Sequence, residues 1–261
     1  MGQPKYRSLR GMPDILPEYA VKVRMVEETA REVFSLYGFS EIRTPLMEAT
    51  EVFTTGVGEN TDIVEKEMYT FSDRGGKSVS LRPEGTAPII RAFVEHGLGN
   101  NGETVKFFYS GPMFRGERPQ KGRLRQFHQI GAEIIGSSDP YADAELILSL
   151  ESILCRLGVK GHTVQINSLG CPEDRGKYSR ALSEYIGPRT EKLCEDCRRR
   201  ASGNVLRVLD CKSPSCKEVV AGSPAISGFL CEDCRRSYGE LKDTLDRARV
   251  DFKEKSDLVR G

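Results

Sequence analysis

The sequence predicts an α+β fold in which an antiparallel sheet is flanked by helices. Short alternating segments occur in hairpin-like pairs, and between them lie segments whose apolar residues recur every three or four positions. Strands that follow one another as hairpins favour an antiparallel sheet. No Gly-x-Gly-x-x-Gly follows a predicted strand, which argues against a parallel dinucleotide-binding sheet.

The first part of the chain predicts one long helix. The helix begins at Pro17, carries its apolar residues at helical spacing, and ends at Gly38. An extended segment, 39–45, follows it and ends at a proline. The glycine-rich polar segment 54–58 predicts a connection without regular structure.

The middle of the chain predicts two hairpins with a helix between them. Strands at 69–71 and 79–81 flank a turn, and strands at 105–109 and 126–136 flank a longer loop. A second long helix then opens at Asp139, which is followed by a proline at the first helical position.

After Gly158 comes a predicted strand, 163–167, and then the character of the sequence changes. The segment 172–250 is more charged, mostly helical in pattern, and holds six of the eight cysteines. We therefore place a domain boundary near residue 170.

The composition is that of a globular protein without a dominant charge. The 39 basic and 38 acidic residues leave a net charge of +1, so any basic patch must be local. No stretch approaches the roughly 18 apolar residues of a membrane helix, and the first residues lack the apolar centre of a signal peptide. We expect a cytoplasmic chain with reduced thiols and no membrane partner.

The loop of the second hairpin is the most informative segment. Guanidinium groups bind phosphate oxygens in pairs and stay charged, so a cationic loop suits ATP or an RNA backbone. This loop contains a single acid, Glu117. Its five cations are Arg115, Arg118, Lys121, Arg123 and Arg125.

The strand after this loop predicts a polar patch. Because side chains alternate along a strand, Gln129, Gly131 and Glu133 share one face. Gly131 leaves a gap between the two polar side chains, where a ligand can approach the backbone. The alternative is the ordinary solvated face of an antiparallel sheet.

A strand-to-helix turn with the sequence Arg-Pro-Glu-Gly-Thr, residues 82–86, offers a second polar group. Glu84 and Thr86 could hold an ammonium group there. Alternatively, Thr86 is only the N-cap of a helix that begins at Ala87.

The cysteine cluster predicts either a zinc site or a set of reduced thiols. Two Cys-x-x-Cys pairs each present two thiolates at the spacing of a zinc knuckle, and together they complete a tetrahedral set. In both cases the role is structural. The predicted ligands are Cys194, Cys197, Cys231 and Cys234, with Cys211 and Cys216 as a substitute pair.

The segment from Tyr109 to Glu133 resembles motif 2 of the class II aminoacyl-tRNA synthetases, in the form typical of the histidyl-tRNA synthetase family. Other segments support the resemblance along the chain. They are Arg10–Asp14 (the N-terminal signature), Gly38–Pro45 (motif 1, which forms dimers), Leu81–Thr86 (the histidine-contacting loop), and Asn167–Gly170 with Asn204–Asp210 (the insertion domain).

The resemblance implies a class II synthetase-type antiparallel sheet with three parts along the chain. Residues 1–170 would be the catalytic core with motifs 1 and 2, and 171–250 a mainly helical insertion domain. Residues 251–261 would return to the core. It also implies a homodimer through motif 1.

The implied activity joins histidine and ATP, with Mg²⁺, into histidyl-adenylate and pyrophosphate, and then moves the histidyl group to tRNA(His). The arginine runs 198–200 and 235–236 would meet the acceptor arm of the tRNA, although a solvated helix face also explains each run. The implied site residues are Glu84, Gly85 and Thr86 around the histidine ammonium, Arg115 at the α-phosphate and carboxylate, Glu117 and Arg123 on the adenine and γ-phosphate side of ATP, and Gln129 and Glu133 against histidine and the adenylate.

The last residues, 257–261, resemble the beginning of the family's histidine-specific motif, in which Arg260 would lie beside the α-phosphate as a catalytic residue. The sequence thus resembles an N-terminal fragment. We expect the 261-residue chain to have little adenylation activity alone, and vigorous pyrophosphate exchange would contradict this.

Two other function classes stay open. A regulatory paralogue would keep the fold and bind a partner enzyme of histidine biosynthesis, but it would be expected to lose the ATP-binding features that Arg115, Glu117 and Arg123 preserve. A stand-alone nucleic-acid-binding module rests on the basic hairpin alone, and a net charge of +1 disfavours it.

Overall fold

A computed structural model of the chain describes residues 6–58, 61, 63–99 and 102–259. The helices in these residues are α1 (Pro17–Leu36), α2 (Thr50–Val57), α3 (Thr86–Glu95), α4 (Pro140–Arg156), α5 (Pro172–Ile186), α6 (Glu195–Ser202), α7 (Pro214–Ala221) and α8 (Glu232–Arg247). The strands are β1 (Ser40–Glu41), β2 (Met47–Ala49), β3 (Thr70–Ser72), β4 (Ser78–Leu81), β5 (Val105–Phe114), β6 (Gln126–Ile135), β7 (Val164–Ile166) and β8 (Phe252–Glu254). Short π or 3₁₀ turns lie at Ile63–Glu67, Gly187–Lys192, Val205–Val208 and Ile226–Gly228.

The strands form three small sheets. β5 and β6 pair antiparallel from Val105 opposite Ile135 to Phe114 opposite Gln126, and β1 lies parallel to β5 on its other edge. β2, β4 and β3 form a second, antiparallel sheet, while β7 and β8 pair parallel. The predicted α+β class and both predicted hairpins are confirmed. The two parallel pairings are additions, because they join strands that no local turn signal connects.

The first helix forms as its apolar spacing predicts. α1 begins at Pro17, and Gly38 follows it with φ +76°, a left-handed conformation that ends a helix at little cost only in glycine. Phe34 is buried and its ring centroid lies 5.3 Å from that of Phe39 and from that of Phe108 on β5. This aromatic cluster holds α1 against the β5–β6 sheet, and each buried ring contributes about 1.5–3 kcal/mol.

The prediction of an irregular connection at 54–58 is wrong, since α2 runs to Val57. Gly56 lies inside this helix, where a Cβ would be 2.9 Å from the Cβ of Ala87 on α3. Gly56 therefore allows α2 and α3 to pack closely. In the sequence the same glycine was interpreted as a sign of a loop, because glycine disfavours helices.

Two compact units divide the chain. One comprises Met1–Ser138 and Ser149–Gly158, and the other comprises Asp139–Leu148 and Val159–Gly261. The predicted ranges 1–170, 171–250 and 251–261 stay a prediction about domains.

Each unit has apolar clusters of its own. In the first unit Ile89, Tyr109 and Met113 pack together between α3 and the β5–β6 sheet. In the second unit a core of α5 to α8 forms around side chains such as Tyr178 and Leu182, both essentially inaccessible to solvent. None of the helices in the described ranges is both long enough and apolar enough to cross a membrane.

Candidate functional site

The polar face predicted on β6 meets the turn that precedes α3. The hydroxyl of Thr86 donates to Oε1 of Glu133 at 2.7 Å. Burial raises the pKa of the Glu133 carboxyl, the nearby charge of Glu84 raises it further, and the hydrogen bond from Thr86 opposes both effects. Glu133 and Gln129 are both half-buried, as are most residues of β6.

Glu84 caps the N-terminus of α3. Its two carboxylate oxygens accept the backbone N–H groups of Thr86 at 2.7 Å and of Ala87 at 2.9 Å. A carboxylate there also compensates the positive end of the helix dipole. The alternative reading of Thr86 as the N-cap is wrong: the helix begins at Thr86, Gly85 is the N-cap, and the Thr86 hydroxyl points to β6 instead.

Tyr109 fills the gap predicted at Gly131. The two residues are direct partners across the β5–β6 ladder, and a Cβ on Gly131 would lie 2.6 Å from Cε1 of the tyrosine ring. A Cβ on Gly85 would lie 2.8 Å from the same tyrosine's hydroxyl oxygen. The prediction that Gly131 opens the backbone to a ligand is therefore wrong, because both glycines make room for one buried ring.

The hydroxyl of Tyr109 links the two ends of the patch. Nε2 of Gln129 donates to it at 3.1 Å. Burial raises the pKa of Tyr109 to about 12, with smaller effects in the same direction from Glu133 and Glu84. The tyrosine is thus neutral at physiological pH.

One acceptor in this patch is left over. Oε1 of Gln129 is buried and has no hydrogen-bond partner within the described part of the chain. Together with the carboxylates of Glu133 and Glu84 it forms a group of hydrogen-bond acceptors on one side of the β5–β6 sheet. Such a group suits a ligand that carries N–H donors and positive charge.

The cationic loop brings Arg115, Glu117 and Arg123 together. Nη1 of Arg123 lies 3.0 Å from Glu117 Oε2, and Nη1 of Arg115 lies 3.9 Å from Glu117 Oε1. Nε of Arg115 donates to the carbonyl of Pro83 at 2.9 Å, and its guanidinium lies 5.1 Å from the ring centre of Phe127. Arg115 is thus held in place through Nε and its planar face.

The remaining cations of the loop differ in exposure. Nε of Arg125 donates to the carbonyl of Glu117 at 3.1 Å, which closes the base of the loop. Arg118 and Lys121 are exposed near its tip. Arg260, the predicted second catalytic arginine, lies outside the described residues.

Tyr109 was missed by the sequence reasoning although a signal for it exists. If residue 120, the midpoint of the loop 115–125, is taken as the tip of the hairpin, residues at equal distances from it on the two strands are partners. This count places Tyr109 opposite Gly131, which is the pairing in the structure. A large residue opposite a glycine on the same face is a recognisable complementary pair. Without its cross-strand partner, Gly131 was interpreted as a gap where a ligand can approach the backbone.

The cysteines of the second unit form two groups instead of one. Ligand atoms within each group lie within 4.8 Å of one another. The two Cys-x-x-Cys pairs fall in different groups, so the predicted set of Cys194, Cys197, Cys231 and Cys234 is replaced. The first group is Cys194, Cys197, Cys211 and Cys216, and the second is Cys171, Asp174, Cys231 and Cys234.

Cys211 and Cys216, predicted only as a substitute pair, are therefore the partners of Cys194 and Cys197. The sulfurs of Cys194 and Cys211 are 3.8 Å apart, and the backbone N–H of Cys194 donates to the sulfur of Cys216 at 3.2 Å. None of the eight cysteines, all of which are described, is in a disulfide. Burial is the main cause of the raised pKa of the Cys197 thiol.

The arginines that follow the two Cys-x-x-Cys pairs have partners within their own segments. Nε of Arg198 donates to the carbonyl of Leu193, and Nη2 of Arg235 donates to the carbonyl of Leu230, each at 3.0 Å. Arg199 pairs with Asp196 one turn back. Arg236 pairs with Asp233 in the same way. Arg199 and Arg236 are nevertheless largely exposed, so the solvated helix face and the tRNA-facing surface both stay predictions for these runs.

Comparison with solved structures identifies the class. A crystal structure of apo histidyl-tRNA synthetase from S. aureus matches with a TM-score of 0.77 and 34% sequence identity, over 98% of this chain and 58% of that chain. A Bacillus halodurans C structure described as an ATP phosphoribosyltransferase regulatory subunit/histidyl-tRNA synthetase matches with a TM-score of 0.69 over 99% of this chain and 70% of that chain. Its 22% identity shows the fold alone. The fold is that of the class II aminoacyl-tRNA synthetases.

Sequence comparison then identifies the family within this class. The family profile "Histidyl-tRNA synthetase" matches residues 11–173. Histidine–tRNA ligase of Halothermothrix orenii is 50% identical over 252 residues, 97% of this chain and 60% of the relative. That of Aquifex aeolicus is 51% identical over 255 residues, 98% of this chain and 63% of the relative. The chain belongs to the histidyl-tRNA synthetase family, and it spans about 60% of the length of these curated relatives.

Proposed function

We propose that this protein activates histidine with ATP and transfers the histidyl group to tRNA(His), in the cytoplasm. In the first step a histidine carboxylate oxygen attacks the α-phosphorus of ATP, which enters as its Mg²⁺ complex, and the bond to pyrophosphate breaks. In the second step the terminal ribose hydroxyl of tRNA(His) attacks the acyl carbon and AMP leaves. Both steps depend mainly on positioning and on stabilising developing charge.

The observation that carries this proposal is the unsatisfied acceptor at Gln129 beside the half-buried carboxylate of Glu133. A buried acceptor without a partner is unfavourable in the free protein and is satisfied when a ligand N–H reaches it. The histidine substrate has such donors at its ammonium and imidazole groups. Glu133 and Thr86 would hold the ammonium, while Glu84 would use carboxylate lone pairs left over from capping α3.

Arg115 would bind the α-phosphate and the histidine carboxylate. It is fixed over Phe127, which lies two residues from Gln129 on the same face of β6, so Phe127 and Gln129 are about 7 Å apart along the strand. A guanidinium beside the acceptor patch on this face suits a ligand with an ammonium at one end and a phosphoryl group at the other. Because Arg115 is anchored through Nε and its ring contact, little reorganisation is needed when charge develops.

Glu117 and Arg123 would contact the adenine and γ-phosphate side of ATP. Arg123 is exposed and forms an ion pair with Glu117. ATP would contact the exposed side of this ion pair. By the family resemblance, Arg260 would add a second cation at the α-phosphate.

We further propose that the protein is a homodimer through motif 1, residues 38–45. Apolar side chains next to this segment are exposed: Leu36 at 72%, Leu46 at 44% and Met47 at 52%. Apolar surface of this kind favours burial against a partner. Sedimentation velocity should show a dimer that Met47→Asp shifts toward monomer, and an unchanged monomer at all concentrations would contradict the proposal.

The four-cysteine group of Cys194, Cys197, Cys211 and Cys216 would hold one structural zinc ion. Two sulfurs that are each about 2.3 Å from a tetrahedral ion lie about 3.8 Å apart, and the Cys194 and Cys211 sulfurs have this separation. Zinc here would cross-link α6 to the start of α7.

The activity is tested by histidine-dependent ATP–pyrophosphate exchange with the complete gene product. Arg115→Ala should lower kcat/KM at least about 100-fold, since it removes a charge needed in the transition state. Arg118→Ala, an exposed cation of the same loop, is the matched control and should stay within about threefold. Gln129→Ala should raise the KM for histidine more than that for ATP. A complete protein without exchange would contradict the proposal and favour the regulatory paralogue.

A further inference from the structure

We propose that Cys171, Asp174, Cys231 and Cys234 form a second structural zinc site, with three thiolate ligands and one carboxylate ligand. This site is separate from the four-cysteine group and does not depend on the proposed activity. It brings in Cys171 and Asp174, which stand outside the sequence cluster of six cysteines.

The distances between the ligand atoms fit a single tetrahedral ion. All four atoms lie within 4.8 Å of one another, and a tetrahedral ion with Zn–S bonds of about 2.3 Å needs sulfur separations of about 3.8 Å. Three thiolates and one carboxylate satisfy the preference of Zn²⁺ for sulfur and oxygen ligands.

Asp174 provides the second observation. Its side chain is fully inaccessible to solvent, and its Oδ2 accepts the backbone N–H of Cys231 at 3.1 Å. Its Oδ1 is buried and has no hydrogen-bond partner among the residues that the structure describes. The Oδ1 oxygen is therefore a buried acceptor that is still open to a ligand, and a divalent cation held by the adjacent sulfurs would occupy that position.

The local structure around the second site repeats that around the first. α5, α6 and α8 each begin directly after a cysteine in extended conformation, namely Cys171, Cys194 and Cys231. A second ligand follows three residues later in each case, as Asp174, Cys197 or Cys234. Each of these turns therefore presents two potential ligand atoms at a helix N-terminus, where the helix dipole favours negative charge.

The metal would join two helices that are distant in sequence. Asp174 lies in the first turn of α5 and Cys231 directly precedes α8, 57 residues further on. A metal clip that closes a segment of this length reduces the freedom of the unfolded chain and couples folding to zinc binding. We expect both zinc ions to be needed for the full helical content of the second unit.

The test is the zinc content of the full chain, purified without chelator and measured by inductively coupled plasma mass spectrometry. The unmodified chain should carry two zinc ions. Asp174→Asn keeps an oxygen that can accept the Cys231 N–H but removes the ligand charge, and it should lower the content to one. Asp174→Cys recreates the Cys-x-x-Cys spacing and should restore two.

Matched variants separate the two sites. Cys216→Ser should lower the content to one by removing the four-cysteine site, and Cys155→Ser, an exposed cysteine outside both groups, should leave two. If Asp174→Asn retains the zinc content of the unmodified chain, Asp174 is a hydrogen-bonding residue only and the proposal is overturned. A single zinc ion that only Cys216→Ser removes overturns it as well.

Cobalt substitution provides a readout that does not depend on Asp174→Asn being folded. With Co²⁺ in both sites, Asp174→Cys replaces a carboxylate by a thiolate, so the thiolate-to-cobalt charge-transfer absorption per chain should increase. An identical spectrum for Asp174→Cys and the unmodified chain would contradict ligation at this position.

Discussion

The ring of Tyr109 occupies the space that a side chain at Gly131 would fill. The two residues are opposite each other in the β5–β6 ladder, and Gly85, at the start of α3, borders the same ring. Gln129 then donates to the Tyr109 hydroxyl, and its own Oε1 has no hydrogen-bond partner among the described residues. A glycine two residues along the strand thus helps to set the orientation of a candidate substrate-binding amide.

Gly131→Ala should destabilise the chain and disturb the candidate site. Its Cβ would overlap the buried Tyr109 ring, and overpacking of this kind costs about 1–3 kcal/mol. Urea denaturation should show the loss. Combining Gly131→Ala with Tyr109→Leu should recover part of it, because the smaller side chain frees the space. A single mutant as stable as the unmodified chain would contradict the packing described here.

The hairpin, the cationic loop and the polar face could be predicted because they depend on local patterns. Alternation placed Gln129 and Glu133 on one face, and the run of arginines marked the cationic loop that we propose binds phosphate. The role of Gly131 could not be read in this way, since it depends on which residue lies opposite it. Thr86 is similar: its hydroxyl could cap a helix or bond to β6, and only the position of Glu133 decides between them.

Glu133→Gln should make the folded chain more stable at neutral pH. Burial raises the pKa of Glu133 in the folded state, so folding favours its protonated form. The stability that protonation provides is fully present below the unfolded-state pKa of about 4.5 and is lost as the pH rises through the folded-state pKa. Glutamine cannot ionise, and its amide oxygen can still accept the Thr86 hydroxyl.

The gain in melting temperature of Glu133→Gln should therefore shrink as the pH falls through the folded-state pKa of Glu133 and should be lost below the unfolded-state value of about 4.5. Glu28→Gln, at an exposed position of α1, is the control and should change stability by less than about 0.5 kcal/mol. A gain for Glu133→Gln that is constant from pH 4 to pH 8 would show that ionisation of Glu133 is not its source.

Arg82→Met should cost about 3 kcal/mol of folding free energy. The Arg82 side chain is buried, donates from Nε to the Pro112 carbonyl at 3.0 Å, and donates from Nη1 to both oxygens of Thr44 at 3.1 Å. Methionine leaves these buried acceptors unpaired, and such losses cost about 1–3 kcal/mol each. Chemical denaturation should show this, whereas Arg74→Met, in the exposed turn between β3 and β4, should be close to neutral.

The cysteines show the limit of spacing arguments. The Cys-x-x-Cys spacing correctly marks two pairs that each belong to a potential ligand set, because each pair straddles the first turn of a helix. Which pairs combine is decided by how α5, α7 and α8 pack, and this is not encoded in local spacing. Cys171 and Asp174 share the same offset of three residues at the start of α5, but an aspartate hides the pattern.

Two glycines of the second unit should respond to alanine with opposite signs. Gly239 lies within α8 and a Cβ there would meet nothing within 4 Å, so Gly239→Ala should stabilise the chain by about 0.5–1 kcal/mol through the lower entropy of the unfolded state. Gly170 has φ +62°, and its Cβ would lie 2.7 Å from the Cβ of Asp174 and 2.9 Å from Cδ2 of Leu230. Gly170→Ala should therefore destabilise the chain by at least about 1 kcal/mol. Thermal denaturation of the two variants side by side checks this, and equal shifts in the same direction would contradict the described packing at the start of α5.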